Sequence, residues 1–480
     1  MTYRRFTAQV RGLRGPVGLD TLLLASPDGA SKIGTADSLT LAKSIDAEKL
    51  NRAPVMDESL SRPAPSYVLS GGYSAPRFAD VIDLFIVMGQ SNAGGATSGL
   101  AIATASLYPG RCLMPDVGVR ITAGWHFSSS ADAVETFNSA TNEGETIVTS
   151  MLSHLVQAND AVSGAARRKF IGFVSAVGGQ SFSQLKRGSF AWQNALDGCE
   201  DARAMAMQGG YSIRVAGICW IQGENQTGDG TTADQYYNML RTLARDFGDD
   251  VAEVTGQKSR PMLFIMQTST VSNALGLDQQ VQMAQHRAAS EGWARMVGPL
   301  YPYPASANTG AESIHKNGSG QNLMGQCFAR AIHNELNGLG WQALRVRSSR
   351  LKSSTVIRIE CDVPVAPLVI DTAGAVTAAG LQGLYGFDVQ LPDGSYATIA
   401  SAAVVDGTAI ELTMSAPITA AWVRVGYAMR RNAGSTDDGP VNGARGCIRD
   451  SSAGANLFGQ GTLRNWLCHW TAVIPAAGSF

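Results

Sequence analysis

Apolar residues in the middle of the chain form short continuous runs, which alternate with stretches where apolar positions recur every three or four residues. Continuous runs predict buried β-strands, because strands covered on both faces are apolar at every position. The predicted strands are Asp83–Met88, Phe170–Val177, Val215–Ile221, Met262–Gln267 and Ala294–Val297. The periodic stretches predict helices at Glu145–Val156, Ala191–Met207, Thr232–Phe247, Leu277–Ser290 and Gly320–Leu336. This alternation indicates βαβ units, and five strands suit a flavodoxin-like, three-layer α/β/α domain with a parallel five-stranded sheet.

The pattern changes on both sides of this α/β domain, which we place at residues 79–342. Residues 1–78 are rich in turn-forming and polar residues, so we expect an extended N-terminal arm or attachment region. Residues 343–430 carry short alternating runs between DG, AG and PDG turns, which predict a small antiparallel β domain. Residues 431–480 begin as a loop-rich stretch and end in the aromatic segment LRNWLCHWTAVIPA, which we expect to pack on the other domains.

Composition narrows the class of protein. A chain of 480 residues is too long for a single hydrophobic core of ordinary size. Its content of 45% hydrophobic and 16% charged residues is typical of a globular protein. A net charge of -1 gives no general attraction to nucleic acid or to an acidic membrane surface. The seven cysteines are scattered without a CxxC pair or zinc-like spacing, and their odd number argues against a complete disulfide framework, so we expect most of them to be small buried apolar residues. The first twenty residues contain no apolar signal core, so we expect synthesis in a cytoplasm without a signal peptide or membrane insertion.

The first predicted strand ends in a turn that contains a serine. In LFIVMGQSNAGG, Ser91 follows the strand on a glycine turn. Ligands of parallel α/β sheets bind beyond the carboxyl ends of the strands, and a strand-end serine can be a nucleophile. The G-x-S-x-G pattern is absent, however, and a purely structural serine in a tight turn also fits this stretch.

The best candidate for a general base is His315, which lies in the loop AESIHKNGSGQ before a predicted helix. Glu312 precedes it by three residues, and this spacing lets a carboxylate fix the imidazole tautomer while Nε2 faces the nucleophile. A structural role is the better interpretation of the other histidines, with His126 the least certain. These are His126, His154, His286, His333 and His469.

Two further strand ends offer hydrogen-bond donors. Gly178 and Gly179, in SAVGGQSF, allow a backbone N–H to approach a ligand closely, although a plain strand-to-helix turn explains them equally well. Gln222, in CWIQGENQ, ends another strand, and its side-chain amide is a possible second donor. For Glu224 we favour a bracing role over direct catalysis.

The ordered blocks GQSN, GGQS, WIQGE and IHKNGSGQ closely resemble the SGNH hydrolases, specifically the sialate O-acetylesterase-like carbohydrate esterases, over residues 80–342. The resemblance implies that Ser91 is the nucleophile and that His315 is the general base and then the acid. Glu312 stands where the family usually has Asp. No metal or organic cofactor is implied.

The resemblance also implies an oxyanion hole and supporting residues. The backbone N–H groups of Ser91 and Gly179 and the side chain of Gln222 would bind the oxyanion, with Gly178 the less favoured choice. The supporting residues are Gln90, Asn92, Gly178 and Glu224. Asn92 and the glycines of the stretch LFIVMGQSNAGG would start the next helix and keep bulk away from Ser91.

The implied activity is removal of acetyl groups from a surface polysaccharide through an acyl-enzyme. The order of arm, esterase domain and β domain resembles bacteriophage tail-fibre or tailspike proteins. That likeness implies a receptor-binding homo-oligomer, with a trimer suspected, and attachment to virion proteins through residues 1–78. It also implies a location on the virion outside the cell after assembly in the host cytoplasm.

Two alternatives stay open. One is a virion adhesin whose degenerate esterase site only binds glycans, which the replacement of Asp by Glu312 motivates. The other is an esterase for lipids or thioesters, which the absence of a long apolar lid in the sequence disfavours. Trp125, Tyr301 and Tyr303 are possible platforms for sugar rings, although a core role is at least as good an explanation of Trp125.

Overall fold

The computed structural model describes residues 81–121, 125–162, 167–271, 276–307, 313–431 and 439–475, all within one compact unit. The predicted arm, residues 1–78, and the predicted acid, Glu312, lie outside the described residues. The fold is mixed α/β, with a largely parallel central sheet and additional antiparallel sheets.

The central sheet has seven strands, of which five are those predicted. They are β1 (Val81–Gly89), β2 (Cys112–Pro115), β3 (Ser130–Asp132), β4 (Lys169–Ala176), β5 (Ser212–Ile221), β6 (Met262–Gln267) and β7 (Ala294–Pro299). Their order is β3-β2-β4-β1-β5-β6-β7, and only the pairing of β2 with β3 is antiparallel. The prediction of five strands was therefore wrong in number. The two missed strands have only four and three residues, too few to produce a recognisable apolar run.

Helices connect the strands close to the predicted positions. They are α1 (Ser91–Gly94), α2 (Val148–Asp160), α3 (Phe190–Gln208), α4 (Ala233–Thr255), α5 (Gln280–Ser290) and α6 (Gly318–Leu336). Helix α4 begins at a capping box formed by Thr232 and Gln235 and continues past its predicted end to a left-handed Gly256. The four-residue helix α1 begins at Ser91, one residue after β1 ends, close to the helix start that was predicted at Asn92.

Strand β1 explains why a continuous apolar run was a reliable signal. Alternate residues of the strand enter two separate hydrophobic clusters, and every residue from Ile82 to Gly89 is buried. Leu84 and Ile86 pack in the cluster that contains residues of α3, α4 and α5. Phe85 and Val87 pack in the cluster that contains residues of α2 and α6. Both faces of the strand are thus covered. Because β1 is the fourth of the seven strands, its carboxyl end lies in the middle of the sheet edge.

The C-terminal third forms antiparallel sheets, as predicted for residues 343–430. The strands are β8 (Arg345–Ser353), β9 (Val356–Asp362), β10 (Val369–Ile370), β11 (Phe387–Gln390), β12 (Tyr396–Ala397), β13 (Ile399–Val405), β14 (Ala409–Met414), β15 (Trp422–Tyr427), β16 (Ile448–Arg449), β17 (Gly454–Ala455), β18 (Thr462–Leu463) and β19 (Trp470–Pro475). One four-stranded sheet has the order β12-β11-β15-β19 and the other has the order β13-β14-β9-β8. Strands β10 and β16 form one two-stranded pair, and β17 and β18 form another.

The aromatic segment near the C-terminus packs against both regions. Trp466 and Trp470 are buried in the core of the antiparallel sheets, together with Tyr301. Gln267, at the end of β6, accepts a hydrogen bond from the backbone N–H of His469 (2.8 Å) and donates one to its carbonyl (3.1 Å). His469 is fully buried, with Nε2 2.8 Å from Ser269 Oγ, so its role is structural, as expected.

None of the helices within the described ranges is long and apolar enough to cross a membrane.

Gly89, the last residue of β1, permits a close approach that no side chain would. Its φ is +138°, and a Cβ built there would overlap the carbonyl oxygen of Ile221 at the end of β5. We expect Gly89→Ala to lower the free energy of unfolding by about 3 kcal/mol or more, because backbone must move to relieve the overlap. Urea unfolding of both proteins measures this loss.

Gly94→Ala is the matched control for this prediction. No neighbouring atom lies within 4 Å of a Cβ built at Gly94, and its φ is negative. We expect its stability to be unchanged or raised by up to about 1 kcal/mol. Equal stability of the two variants would contradict the role assigned to Gly89.

Candidate active site

Ser91 lies at the centre of the carboxyl edge of the sheet. It is the first residue of α1, directly after β1, which pairs with β4 on one side and β5 on the other. The turn is fixed by backbone hydrogen bonds from Gln90 N–H to Ile221 O (3.1 Å) and from Ala96 N–H to Ser91 O (3.0 Å). Ser91 itself is half-buried, so the residue is partly accessible from the surface.

The glycine turn after β4 lies beside Ser91. The backbone N–H of Val177 donates to Gly89 O (3.1 Å), which joins this turn to β1. A Cβ built at Gly178 would lie 3.8 Å from Ser91 Cβ, so the glycine leaves open space next to the serine. Gly179 has a φ of +67°, a left-handed conformation that favours glycine. Both glycines are exposed, and the predicted oxyanion donor therefore lies on the accessible side of the turn.

Gln222, on the other side of Ser91, is buried and held in one orientation. The Tyr236 hydroxyl donates to Gln222 Oε1, and Gln222 Nε2 donates to the carbonyl of Gln180 at 3.4 Å. Burial raises the pKa of Tyr236, so this hydroxyl stays protonated and remains a donor. The amide N–H₂ of Gln222 consequently faces the turn that contains Gly179. Tyr236 lies on α4, and no local sequence signal pointed to it.

The loop that contains His315 is held against the nucleophile turn. The backbone N–H of Ser306 donates to His315 O (2.8 Å), and Asn317 caps helix α6 by accepting from the Gly320 N–H (3.0 Å). Asn92 hydrogen-bonds the peptides on both sides of His315, at Ile314 O and Lys316 N–H, with 3.1 Å for each contact. The structure thus brings the His315 loop to the residue next to Ser91. The pairing of His315 with Glu312 stays a prediction, because Glu312 is outside the described residues.

The remaining supporting residues form one network around the same turn. Glu224 is buried and accepts a hydrogen bond from Asn92 Nδ2 (2.7 Å), which agrees with the bracing role that the sequence favoured. Gln90 Oε1 accepts from the backbone N–H of Asn225 at 3.3 Å. Gln321, on α6, donates to the carbonyl of Asn92 (3.0 Å) and was not singled out by the sequence. These contacts join β1, β5 and α6 at the site.

A pair of buried glutamates supports the loops beside α1. Glu145 accepts from the backbone N–H groups of Ile102 (2.6 Å) and Ala103 (2.9 Å) and from Asn322 of α6 (2.9 Å). Glu135 accepts from the hydroxyl of Thr146 at 2.6 Å. Burial, with the nearby Glu135 charge as a second cause, raises the pKa of Glu145 to about 7. Burial also raises the pKa of Glu135.

This pair predicts a dependence of stability on pH. Between pH 4.5, the ordinary pKa of Glu145, and about 7, folded Glu145 keeps a proton that the unfolded chain releases. This contribution to the free energy of unfolding therefore falls as the pH rises through that window. Glu135→Gln removes the neighbouring charge and should make the fall smaller in urea unfolding at pH 5 and pH 7. The exposed Glu253→Gln is the control, and an unchanged slope in Glu135→Gln would contradict the coupling.

Other sequence interpretations are settled by burial. Trp125 is 53% exposed, whereas Tyr301 and Tyr303 are buried in the cores, so the proposal that the tyrosines contact sugar rings was wrong. All seven cysteines are buried free thiols. In the part of the chain that the structure describes, no group of three or more His, Cys, Asp or Glu side chains could hold a metal ion.

Comparison with known proteins identifies the family to which the chain belongs. Residues 81–334 match the family model of the carbohydrate esterase, sialic acid-specific acetylesterase (SASA) family, which is more than half of the chain. None of the curated proteins matches the chain in sequence.

The chain is also similar to several solved structures, esterases among them. A carbohydrate acetylesterase from Xanthomonas citri is 12% identical, with 81% of this chain and 80% of that chain covered and a TM-score of 0.48. NanS is 14% identical, with 54% and 99% covered and a TM-score of 0.39. A protein from Arabidopsis thaliana is 17% identical, with 53% and 98% covered and a TM-score of 0.34. On the family match, this chain is a carboxylic ester hydrolase and belongs to the SASA family of carbohydrate esterases.

Proposed function

We propose that the protein is a serine carbohydrate O-acetylesterase that removes acetyl groups from a polysaccharide through a Ser91–His315–Glu312 acyl-enzyme mechanism. The observation that carries the proposal is the meeting of four strand-end and loop features at one sheet edge. Ser91, the Gly178–Gly179 turn and Gln222 follow three adjacent strands, and Asn92 bonds both peptides that flank His315. An acyl transfer needs these groups together: a nucleophile, a base and oxyanion donors.

The proposed reaction has two steps. Ser91 Oγ attacks the acetyl carbonyl while His315 takes the hydroxyl proton, and the C–O bond to the sugar breaks as His315 returns the proton to the leaving alkoxide. Water then attacks the acetyl-serine while His315 takes its proton, and acetate leaves as the C–O bond to Ser91 breaks and His315 returns the proton to Ser91 Oγ. The N–H groups of Ser91 and Gly179 and the side chain of Gln222 hold the oxyanion in both steps, and each donor contributes roughly 3 kcal/mol in comparable enzymes.

The fold and biological setting that we propose go further than the family match. The two hydrophobic clusters, one on each face of β1, support a flavodoxin-like three-layer SGNH domain. The order of regions along the sequence supports a virion component that binds a surface polysaccharide outside the cell. In this proposal residues 1–78 contact virion proteins. The chain forms a homo-oligomer, for which we propose a trimer.

A second proposed function is a glycan-binding adhesin without esterase activity. The observation that favours it is Glu312 in the position where related sequences usually carry Asp, since a displaced carboxylate would leave His315 poorly oriented. The two functions differ in a single observable, the release of acetate.

Acetate release from a panel of acetylated bacterial polysaccharides tests the proposal, with Ser91→Ala as the matched control. We expect the wild-type protein, and not the variant, to release acetate from at least one of them. p-Nitrophenyl acetate should be hydrolysed faster than its long-chain analogues. Glycan binding without acetate release would favour the adhesin, and activity that rises sharply with acyl length would favour a lipid esterase.

A further inference from the structure

The side chain of Asn92 is fully buried and makes three hydrogen bonds to groups far away in sequence. Nδ2 donates to Glu224 Oε1 (2.7 Å) and to Ile314 O (3.1 Å), and Oδ1 accepts from the backbone N–H of Lys316 (3.1 Å). The two backbone contacts flank His315. One side chain, on the residue next to Ser91, thus holds the peptide groups on both sides of His315.

The partners of this amide permit only one orientation. The Lys316 N–H can only donate, and the Ile314 carbonyl can only accept, so the amide oxygen must face Lys316 and the nitrogen must face Ile314. Glu224 occupies the second hydrogen of the same nitrogen. Turning the amide over would set N–H₂ against N–H and oxygen against two oxygens, at a cost of several unsatisfied buried groups. Glu224 therefore further stabilises Asn92 in the orientation that holds the His315 loop.

The backbone of the nucleophile turn is anchored independently of this side chain. Gln321 donates to the Asn92 carbonyl (3.0 Å), and the bonds between Gln90 and Ile221 and between Ala96 and Ser91 are all made by backbone groups of the turn. Removal of the Asn92 side chain leaves these contacts in place. Its effect should consequently fall on the His315 loop and not on Ser91.

We propose that Asn92, oriented by Glu224, is the positioning residue that places His315 against Ser91. This inference rests on the proposed function, because it assumes that His315 is the base for Ser91. A misplacement of about 1 Å at a reacting group costs roughly 10²-fold in rate, which sets the expected size of the effect. The hydrogen bonds join three separate parts of the chain, namely α1, the turn after β5 and the loop before α6.

A double-mutant cycle in kcat for p-nitrophenyl acetate tests the proposal. We expect Asn92→Ala to lower kcat by about 10²-fold with KM changed by less than about 3-fold. In a His315→Ala background the same substitution should change kcat by less than about 3-fold, because the group it positions is absent. Residual hydrolysis above the rate in water, supplied by the oxyanion donors, keeps that background measurable.

Variants at Glu224 and a matched asparagine complete the test. Glu224→Gln retains an oxygen for Asn92 Nδ2 and should stay within about 5-fold of wild type, whereas Glu224→Ala should approach Asn92→Ala. Asn194 is also buried and donates through Nδ2 to Ile121 O (3.1 Å) and Ser175 Oγ (3.0 Å), away from the His315 loop. Asn194→Ala therefore measures the general cost of losing a buried asparagine, and its kcat should be nearly unchanged.

The outcomes separate this inference from the proposed function. The positioning role would be overturned if the losses of kcat in Asn92→Ala and His315→Ala were additive, or if Asn194→Ala lost as much kcat as Asn92→Ala. In either case Ser91→Ala could still abolish activity, so the proposed function would stand. Full activity of folded Glu224→Ala would also overturn the positioning role. Undiminished turnover in Ser91→Ala and His315→Ala would instead overturn the proposed function itself.

Discussion

Ser91→Ala is expected to lower kcat for ester hydrolysis by roughly 10⁶-fold, the loss seen when the nucleophile of a serine triad is removed. The reason is that alanine has no atom that can form the acyl-enzyme, so water must attack the ester directly with help only from the oxyanion donors. Steady-state kinetics with p-nitrophenyl acetate measure the loss. Stability should be nearly unchanged, because Ser91 is half-buried and its turn is held by backbone hydrogen bonds.

Ser98→Ala is the matched control for this substitution. Ser98 lies in the loop after α1, is buried, and accepts a hydrogen bond from the Gly144 N–H through Oγ (3.0 Å). Ser98→Ala removes a serine hydroxyl in the loop after α1 without removing the nucleophile. One lost hydrogen bond costs about 1 kcal/mol, so kcat should stay within about 10-fold of wild type. Undiminished turnover in Ser91→Ala would refute its assignment as nucleophile.

His315→Ala is expected to lower kcat nearly as far as Ser91→Ala, because nucleophile and base act as one unit and their losses are not additive. Glu312→Ala should cost less, about 10⁴-fold, since the acid only orients and stabilises the imidazolium. Glu312→Asp should retain activity, because the resemblance to sialate O-acetylesterase-like enzymes implies an Asp at this position. The same p-nitrophenyl acetate assay compares all three variants.

The results for Glu312 also decide between two forms of the site. Wild-type activity in Glu312→Ala would show that His315 works without this carboxylate. Asn92 would then orient His315 without help from Glu312. An inactive wild-type protein that becomes active as Glu312→Asp would favour the degenerate adhesin. Full activity of His315→Ala would refute its role as base.

The long elements of the fold were predictable because each leaves a strong local pattern. Strand β1 is buried on both faces, so Leu84 and Phe85 enter different clusters and the sequence is apolar at successive positions. The strands β2 and β3 were not predictable in the same way. They are four and three residues long, and β2 pairs with β4, more than fifty residues away, so their pairing is decided by tertiary contacts.

The location of the candidate site residues was predictable where such a residue follows a long strand. Ser91, Gly179 and Gln222 each follow such a strand, and the parallel order of the sheet brings the three ends together. The contact that holds the His315 loop had no local signal in the sequence, because Asn92 and Ile314 are 222 residues apart. Tyr301 was misjudged because a lone tyrosine in a loop looks the same in sequence whether exposed or buried in the core between β-sheets.

Covalent labelling with a fluorophosphonate tests the identity of the nucleophile most directly. The probe reacts with a serine only where a base and oxyanion donors activate it, so one measurement examines the whole arrangement. We predict that mass spectrometry of the digested protein finds the label on Ser91, and that His315→Ala prevents it. A label on any other residue, or none on a protein that still releases acetate, would contradict the assignment.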